Sequence, residues 1–556
     1  MLTVTPPSTE DSLSSYMSLT HEQFVRIERA VRLATNRILE KGADDVFRPP
    51  IFARSVESLV LDQKPDEFRQ EAQERAIRFL KAADLHREKI GPPRRGLVAK
   101  DQNSFRQVAW FDPFEAVKYL AVAYLLFDRI EAARIPKAEG IIHSHRLSDN
   151  DNQIFDARFG YDSFRDASSE LSKSRTGQWK VVTDISNFFD RVGIHHLENT
   201  LKEIGCDQQH TTLLRDILEF WADGRRSHGI PVGSDASRIV SEAALLHVDR
   251  RLRDKGIVFV RYVDDFRIFA KTRAEALKTI EVLTSLLWEE GLALNTRKTG
   301  VFRIVDADEL TTQIANQFAG GEHEKIDINE KIEIKRAIRV SGRSTIARFY
   351  REPGKEALLK IKAIPKDVVT RDFENASDAD VEQQIKLVVK YFVYADQDVS
   401  LLKLLLDRKI TAIFYIADAL VKEAEHFTPE RCDEIKDAVY GAEDWLQCAY
   451  PLQMPVLRLS AHPAFRDPRF VRSLVESHHS SEGMLLYREA ISIGYPCLNR
   501  TQIRTLAVQR FWEVPDFVQR AIYFATMQSA EIDGDEKRPL LKNMKQGLDD
   551  WFIRNL

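Results

Sequence analysis

Apolar positions along the chain follow two different spacings, and these divide it into regions of different predicted structure. Residues 21–41 carry apolar side chains at helical intervals, and a longer apolar helix is predicted from Asp112 to about Ala133. Between about 180 and 305, short β-like runs alternate with helical patterns. Beyond about residue 320, amphipathic helical patterns follow one another across short breaks. The pattern therefore predicts an α+β region followed by an all-α region of stacked helices.

Three segments are expected from these patterns. Residues 1–20 are rich in Ser, Thr and Pro, which predicts a flexible N-terminal tail. Residues 21–305 are expected to form the α+β domain, and residues 320–556 the α-helical domain. Within the first domain, residues 89–106 mix basic and turn-forming side chains, which predicts a basic loop. Residues 134–148 change to a short β-like pattern.

Two apolar β runs flank an Asp-Asp pair in the segment GIVFVRYVDDFRIFAKT, residues 256–272. The first predicted strand covers residues 257–260 and the second residues 266–270. A hairpin turn would bring Asp264 and Asp265 to its tip, where adjacent carboxylates repel each other and need a cation. The alternative is an ordinary polar turn, because a motif as short as YVDD also arises by chance.

A further carboxylate, Asp184, ends a predicted strand in the segment WKVVTDISNFFDRV, residues 179–192. Asp184 and Asp264 are 80 residues apart in the chain, so they can meet only if their strands are neighbours. Their oxygens would then form a site of hard ligands suited to Mg²⁺. The chemistry expected of such a site is nucleotidyl transfer assisted by two metal ions.

Four segments in order, TDISNFFD, GIPVGSDASRIVSEAAL, YVDD and GLALNTRKT, resemble motifs A, B, C and D of reverse transcriptases. The resemblance covers about residues 40–305 and implies the fingers and palm of a right-hand polymerase, here followed by a helical-repeat-like domain. It implies two Mg²⁺ ions, with Mn²⁺ as a substitute, held by Asp184, Asp264, Asp265 and the backbone carbonyl of Ile185. Lys298 matches the motif D lysine that protonates the departing pyrophosphate; the alternative is a solvated surface lysine.

The same resemblance assigns residues to the nucleotide pocket. Phe189 matches the bulky gate that clashes with a ribose 2′-OH, which implies deoxynucleotide substrates. One of Phe188 and Phe189 is expected to be an ordinary core residue. Gly233 of motif B would let the backbone approach the base pair, and Tyr262 of YVDD is expected at the same pocket.

Upstream of motif A, the segment RIPKAEGIIHSHRLS resembles the fingers motif of bacterial reverse transcriptases, in which a basic side chain grips the incoming triphosphate. Arg146 is the first choice for this role and Lys137 the second, because a guanidinium can bind phosphate oxygens with two parallel bonds. The alternative is a structural salt bridge.

One position departs from the common family pattern, because Val232 stands where many reverse transcriptases have Gln. Together with the helical C-terminal region, this resembles the abortive-infection (Abi, unknown-group) reverse transcriptases of bacterial antiphage defence. Membership implies a homo-oligomer that synthesises DNA from dNTPs. Some members need no template and use a protein hydroxyl as the primer, and Tyr16 is one candidate for that hydroxyl. The alternative is templated synthesis on an RNA, such as an associated non-coding RNA.

Composition leaves the nature of the partner open. Lys and Arg total 81 against 85 Asp and Glu, so any nucleic-acid-binding surface must be a local basic groove. Four scattered cysteines fit a reducing compartment. The start of the chain lacks a signal-peptide pattern, and the longest apolar run, residues 116–127, is too short to span a bilayer. A soluble cytoplasmic protein without membrane contact is expected.

Two rival hypotheses remain open from the sequence. An RNA-dependent RNA polymerase shares the palm and its carboxylates, but Phe189 argues against it. A non-catalytic palm that acts as a phage-sensing or RNA-binding scaffold is the second, although three retained acidic residues argue against decay of the site. Substitution of Asp264 by Ala should abolish defence only if the domain is a working polymerase.

Overall fold

The computed structural model describes residues 20–41, 56–101, 104–222, 226–296, 298–304, 354–376, 381–477 and 483–556. Tyr16 lies outside these residues. The chain forms two compact units, each discontinuous in sequence. The first contains the described residues within 1–43, 65–94 and 109–322, and the second those within 44–64, 95–108 and 323–556.

The described residues up to 304 contain both helices and strands. The order is α1 (His21–Lys41), α2 (Val56–Gln63), α3 (Pro65–Ala82), β1 (Arg94–Asp101), β2 (Ser104–Trp110), α4 (Pro113–Ala133), α5 (Tyr161–Lys173), β3 (Trp179–Asp184), α6 (Phe188–Arg191), α7 (Ile194–Glu203), α8 (Gln208–Trp221), α9 (Asp235–Ala243), α10 (Leu246–Asp254), β4 (Val258–Tyr262), β5 (Asp265–Ala270), α11 (Arg273–Glu289) and β6 (Gly300–Arg303).

Only helices and short turns follow in the described residues from 354 onward. They are α12 (Lys355–Lys362), α13 (Lys366–Glu374), α14 (Val381–Tyr394), α15 (Ser400–Arg408), α16 (Ile413–Lys422), α17 (Pro429–Tyr440), α18 (Tyr450–Ala461), α19 (Pro468–Glu476), α20 (Met484–Gly494), α21 (Arg500–Thr505), α22 (Asp516–Gln528), α23 (Gly534–Gln546) and α24 (Trp551–Asn555). The predicted fold class, an α+β palm followed by an all-α region, is confirmed.

The central helix of the first unit is α4. It starts where the sequence predicts, because the Asp112 side chain accepts a hydrogen bond from the N–H of Phe114 and Pro113 occupies the first turn. Almost every residue from Pro113 to Phe127 is buried. Such an all-round apolar helix needs neighbours on several sides, and α1, α3, α8 and α9 pack against it.

The sheet of the first unit has the strand order β4-β5-β3-β6, and all its neighbouring strands run antiparallel. Helix α11 packs against β3, β5 and β6, and α5 packs against β4. Successive side chains of a strand point to opposite faces. On β3, Lys180, Val182 and Asp184 therefore share one face, while the fully buried Val181 belongs to the other.

The second unit takes two segments from the N-terminal half of the chain, which the sequence-based division at about residue 305 does not predict. Helix α2 is held by Glu57, which is fully buried and accepts hydrogen bonds from Arg488 and Arg520. The hairpin β1–β2 also belongs mainly to this unit: the N–H of Leu97 donates to the Tyr450 hydroxyl.

Two local predictions need correction. Residues Arg94–Asp101 and Ser104–Trp110, expected within and beside a basic loop, form the two paired strands β1 and β2. The predicted β-like stretch near residue 140 is a 3₁₀ turn, Lys137–Glu139, with isolated bridges at Ile142 and Leu147. None of the described helices combines the length and the apolar character needed to cross a bilayer.

Candidate active site

A two-residue turn, Val263 and Asp264, connects β4 to β5. Tyr262 and Asp265 are paired across the hairpin, so Asp264 lies at its tip as the sequence predicts, whereas Asp265, also expected at the tip, is the first residue of β5. Val263 has a φ of 54°. This left-handed conformation is rare for a β-branched residue, because its side chain collides with the backbone. The hairpin therefore presents Asp264 from a strained turn, with Asp265 directly after it.

The third predicted carboxylate lies beside this tip. Asp184, the last residue of β3, is the direct partner of Asp265 in the antiparallel pairing of β3 with β5. The N–H of the next residue, Ile185, donates to the carbonyl oxygen of Asp264 at 3.1 Å. The structure therefore places Asp184, Asp264 and Asp265 at one end of two neighbouring strands.

Two basic side chains lie on these carboxylates. The ammonium of Lys298 is 2.8 Å from Oδ2 of Asp184, and Nη1 of Arg267 is 3.2 Å from Oδ1 of Asp265. Burial raises the pKa of Asp265, Arg267 opposes this shift, and the negative charge of Asp184 adds to it. The environment thus disfavours a full set of negative charges unless cations are close.

One acidic oxygen among these groups has no hydrogen-bond partner. Asp184 is 8% exposed, and its Oδ1 is buried without a partner among the described residues. An unsatisfied buried carboxylate oxygen is costly, and a divalent cation with oxygen preference would satisfy it. Within the described parts of the chain, no three His, Cys, Asp or Glu side chains are gathered as a ready-made metal cluster. Asp184 and Asp265 instead bind Lys298 and Arg267.

Motif B is tied by its backbone to the segment after Asp184. The N–H of Ile230 donates to the carbonyl of Phe189 at 2.8 Å. Gly233 has a φ of 119°, which a residue with a side chain rarely adopts. The Ser234 side chain then caps α9 by accepting a hydrogen bond from the N–H of Ala236.

The two adjacent phenylalanines have different environments. Phe188 is 2% exposed and belongs to the core, whereas Phe189 is partly exposed. Their ring centroids are 5.5 Å apart in an edge-to-face arrangement. The buried ring of Phe188 therefore supports the ring of Phe189, and Phe189 is the more accessible of the two to a ligand.

Neither basic residue chosen for the triphosphate is placed to bind it. Arg146 is 1% exposed; its guanidinium bonds to Glu131 at 2.8 Å and to the carbonyl of Ile135 at 2.9 Å. Lys137 bonds to Asp156 at 3.0 Å and Asp149 at 3.2 Å. Both side chains therefore form structural salt bridges, which was the alternative to triphosphate binding.

Tyr262 lies in an aromatic cluster. Its ring centroid is 5.5 Å from that of Tyr161, 5.8 Å from that of His145 and 6.1 Å from that of Phe164. Burial raises the pKa of the Tyr262 hydroxyl. The ring is thus part of the packing between α5 and β4, and its expected contact with a nucleotide remains a prediction.

Arg261, which directly precedes the YVDD sequence, is a further residue of this region that was not predicted from the sequence. This residue is fully buried. Its guanidinium donates to Asp249 at 2.8 Å, to Glu242 at 3.0 Å and to the carbonyl of Val263 at 2.7 Å. The sequence places this arginine directly after the apolar run GIVFV. Because an unpaired charge next to a buried strand would be costly, that position indicates a buried ionic partner.

Comparison with known proteins found a matching family model and solved structures of low similarity. Residues 138–350 match the family model described as reverse transcriptase (RNA-dependent DNA polymerase). No curated protein sequence matches the chain. Among solved structures, the telomerase of Candida albicans, in complex with a fragment of telomeric RNA, is 13% identical; 63% of this chain and 66% of that chain are covered, with a TM-score of 0.27. The apo telomerase of Candida tropicalis is 11% identical, with 66% and 68% covered and a TM-score of 0.29.

Proposed function

We propose that the reverse-transcriptase domain at residues 138–350 is an active DNA polymerase that joins deoxynucleotides with the help of divalent ions. The observation that carries the proposal is the pairing of Asp184 with Asp265, which brings two separate motifs together beside the hairpin tip. The unpartnered Oδ1 of Asp184 supports it further, because a cation is the partner that such an atom needs.

Two Mg²⁺ ions, or Mn²⁺ in their place, are proposed to be held by Asp184, Asp264, Asp265 and the carbonyl of Ile185. When bound, such ions activate an attacking hydroxyl and stabilise the charge of the triphosphate and pyrophosphate. Lys298, already on Oδ2 of Asp184, is proposed to give its proton to the departing pyrophosphate.

Deoxynucleotide selection is proposed to rest on Phe189. Its carbonyl is fixed by Ile230, and its ring is backed by the buried ring of Phe188, so it cannot easily move aside. A fixed aromatic ring excludes a 2′-OH by overlap and offers it no hydrogen-bond partner. Ribonucleotides would therefore react much more slowly.

For the finer function, we propose synthesis without a template in bacterial antiphage defence, with priming from a protein hydroxyl. Val232 supports this choice, because its apolar side chain lacks the amide groups with which Gln can bond to a template nucleotide. The helices of the second unit also support this choice, because resemblance to the abortive-infection group implies a helical C-terminal region. A homo-oligomer in the cytoplasm belongs to this proposal. The alternative is RNA-directed synthesis on a bound RNA.

The test is incorporation of labelled nucleotides by the 556-residue chain in Mg²⁺. Reactions would contain dNTPs or NTPs, with no nucleic acid or with an RNA template and DNA primer, and the products would be digested with protease. We expect labelled DNA without template that carries a residual peptide. Template dependence would favour the RNA-directed alternative, and labelled RNA alone would contradict the assignment of Phe189.

Matched variants separate polymerase chemistry from a contaminating activity. Asp264→Asn keeps the size of the side chain but removes its charge, and should abolish incorporation. Asp254→Asn makes the same change at an exposed carboxylate, 67% accessible at the end of α10, and should leave incorporation unchanged. Asp264→Ala should likewise abolish phage protection in cells. Protection that survives this substitution would instead support the scaffold hypothesis.

A further inference from the structure

Arg261 links the acidic hairpin to two helices through a buried ionic network. It stands in β4, while Glu242 lies in α9 and Asp249 in α10. All three side chains are almost completely buried, and Arg134 bonds to the same oxygen of Glu242 at 2.9 Å. Buried ion pairs contribute little net stability compared with apolar packing. A role in geometry is therefore the better physical reason for this network.

The third bond of Arg261 reaches the turn itself. Its Nη1 donates to the carbonyl of Val263, whose backbone has the left-handed φ of 54°. A β-branched residue enters this region only when its surroundings impose the conformation. The backbone of Arg261 is also fixed, because its N–H donates to Ile141 and its carbonyl accepts from His143, both at 2.9 Å. The guanidinium thus acts from a rigid base.

We propose that Arg261 is a positioning residue that holds Val263 in its left-handed conformation and so directs Asp264 and Asp265 towards Asp184. The inference rests on the proposed polymerase function. Without the bond from Arg261, Val263 can relax to an ordinary extended conformation and rotate the following peptide. The carbonyl of Asp264 would then leave the N–H of Ile185, and the acidic residues of the two motifs would lose their register.

The test uses a rescue that a purely structural role of Arg261 would not show. Arg261→Lys keeps the buried positive charge but cannot bond to Glu242, Asp249 and the Val263 carbonyl at once. Val263→Gly removes the steric reason for the strain, because glycine adopts positive φ freely. Val263→Ala is the matched control, since it shortens the side chain but keeps the Cβ atom.

Arg261→Lys should lower the rate of dNTP incorporation by about tenfold or more and raise the Mg²⁺ concentration for half-maximal rate, with the KM for dNTP unchanged. The double variant with Val263→Gly should recover most of the rate, and the one with Val263→Ala should not. The inference would be overturned if Arg261→Lys incorporated dNTP at the wild-type rate. It would also be overturned if Val263→Gly did not restore the rate, or if Val263→Ala restored it equally well.

Mn²⁺ affinity, measured by electron paramagnetic resonance of the free ion, gives a readout that does not depend on turnover. The affinity should fall in Arg261→Lys. It should return in the double variant with Val263→Gly but not in the double variant with Val263→Ala. A wild-type protein that binds Mn²⁺ but incorporates nothing would contradict the proposed function and leave this comparison intact. If Arg261→Lys does not fold, Glu242→Gln, which weakens the hold on the arginine from one side, takes its place in the same comparison.

Discussion

The ammonium of Lys298 lies 2.8 Å from Oδ2 of Asp184, so a lysine of motif D neutralises a carboxylate of motif A directly. Lys298→Met should have two opposite effects. Loss of a competing positive charge should tighten the binding of Mn²⁺. Loss of a proton donor should lower the rate of incorporation by roughly 10²-fold. Mn²⁺ titration and single-turnover kinetics measure these two effects separately.

A matched control for Lys298 is Lys278→Met, because the Lys278 ammonium bonds to Glu281 on the surface of α11. This variant should change neither quantity. If Lys298→Met instead weakened Mn²⁺ binding, the lysine would be a structural support of Asp184 and its assignment as the proton donor would be wrong.

The two phenylalanines after motif A should respond differently to truncation. Phe189→Ala should admit ribonucleotides, so the ratio of kcat/KM for dNTP over NTP should fall with little loss of stability. Phe188→Ala should leave that ratio nearly unchanged but cost about 3–5 kcal/mol of unfolding free energy, because it removes a buried ring. Competition between dATP and ATP, together with urea unfolding, distinguishes the two. A changed ratio in Phe188→Ala alone would reverse the assignment.

Arg146 is expected to matter for folding and not for substrate binding. Arg146→Met would remove one of two buried arginines that bond to Glu131, the other being Arg134 at 3.3 Å, and should destabilise the protein by about 1–3 kcal/mol. In the protein that remains folded, the KM for dNTP should stay at the wild-type value. Arg165→Met, at a half-exposed position on α5, provides the comparison and should affect neither. A raised KM with normal stability would restore the triphosphate role to Arg146.

Lys180 should make stability depend on pH in the alkaline range. Burial, assisted by the charge of Arg267, lowers the pKa of Lys180 from its ordinary 10.5 to about 8. Between these two pH values Lys180 is protonated in the unfolded chain and neutral in the folded chain. The contribution of Lys180 to the free energy of unfolding therefore increases as pH rises. The urea midpoint of the wild type should therefore rise relative to that of Lys180→Met as pH increases from 8 to 10.5. A difference that is constant with pH would contradict this.

Local patterns in the sequence were sufficient for much of the first unit. The apolar spacing and the capping side chain of Asp112 predict α4 because both act within a few residues. The hairpin around Asp264 is predictable for the same reason, since two apolar runs flank a polar pair. Its partnership with Asp184 came only from the order of the motifs, because pairing over 80 residues leaves no local signal.

Long-range partners account for the incorrect predictions. Arg146 has the residue type and the position of a phosphate ligand, but its bonds are already used by the partly buried carboxylate of Glu131 and by the carbonyl of Ile135. The place of α2 depends on Glu57 meeting two arginines more than 400 residues later in the chain. Neither partner can be read from local periodicity, because each depends on how distant helices pack.

Acidic side chains of separate motifs are proposed to bind divalent ions jointly, and Mn²⁺ titration of wild type and Asp184→Asn tests this proposal. Electron paramagnetic resonance would count the ions bound in the presence of a non-hydrolysable dNTP analogue, with Asp254→Asn as the control. Wild type and Asp254→Asn should bind Mn²⁺ equally, and Asp184→Asn should lose this binding. Undiminished binding by Asp184→Asn would show that the acidic residues of the two motifs do not hold the ions together.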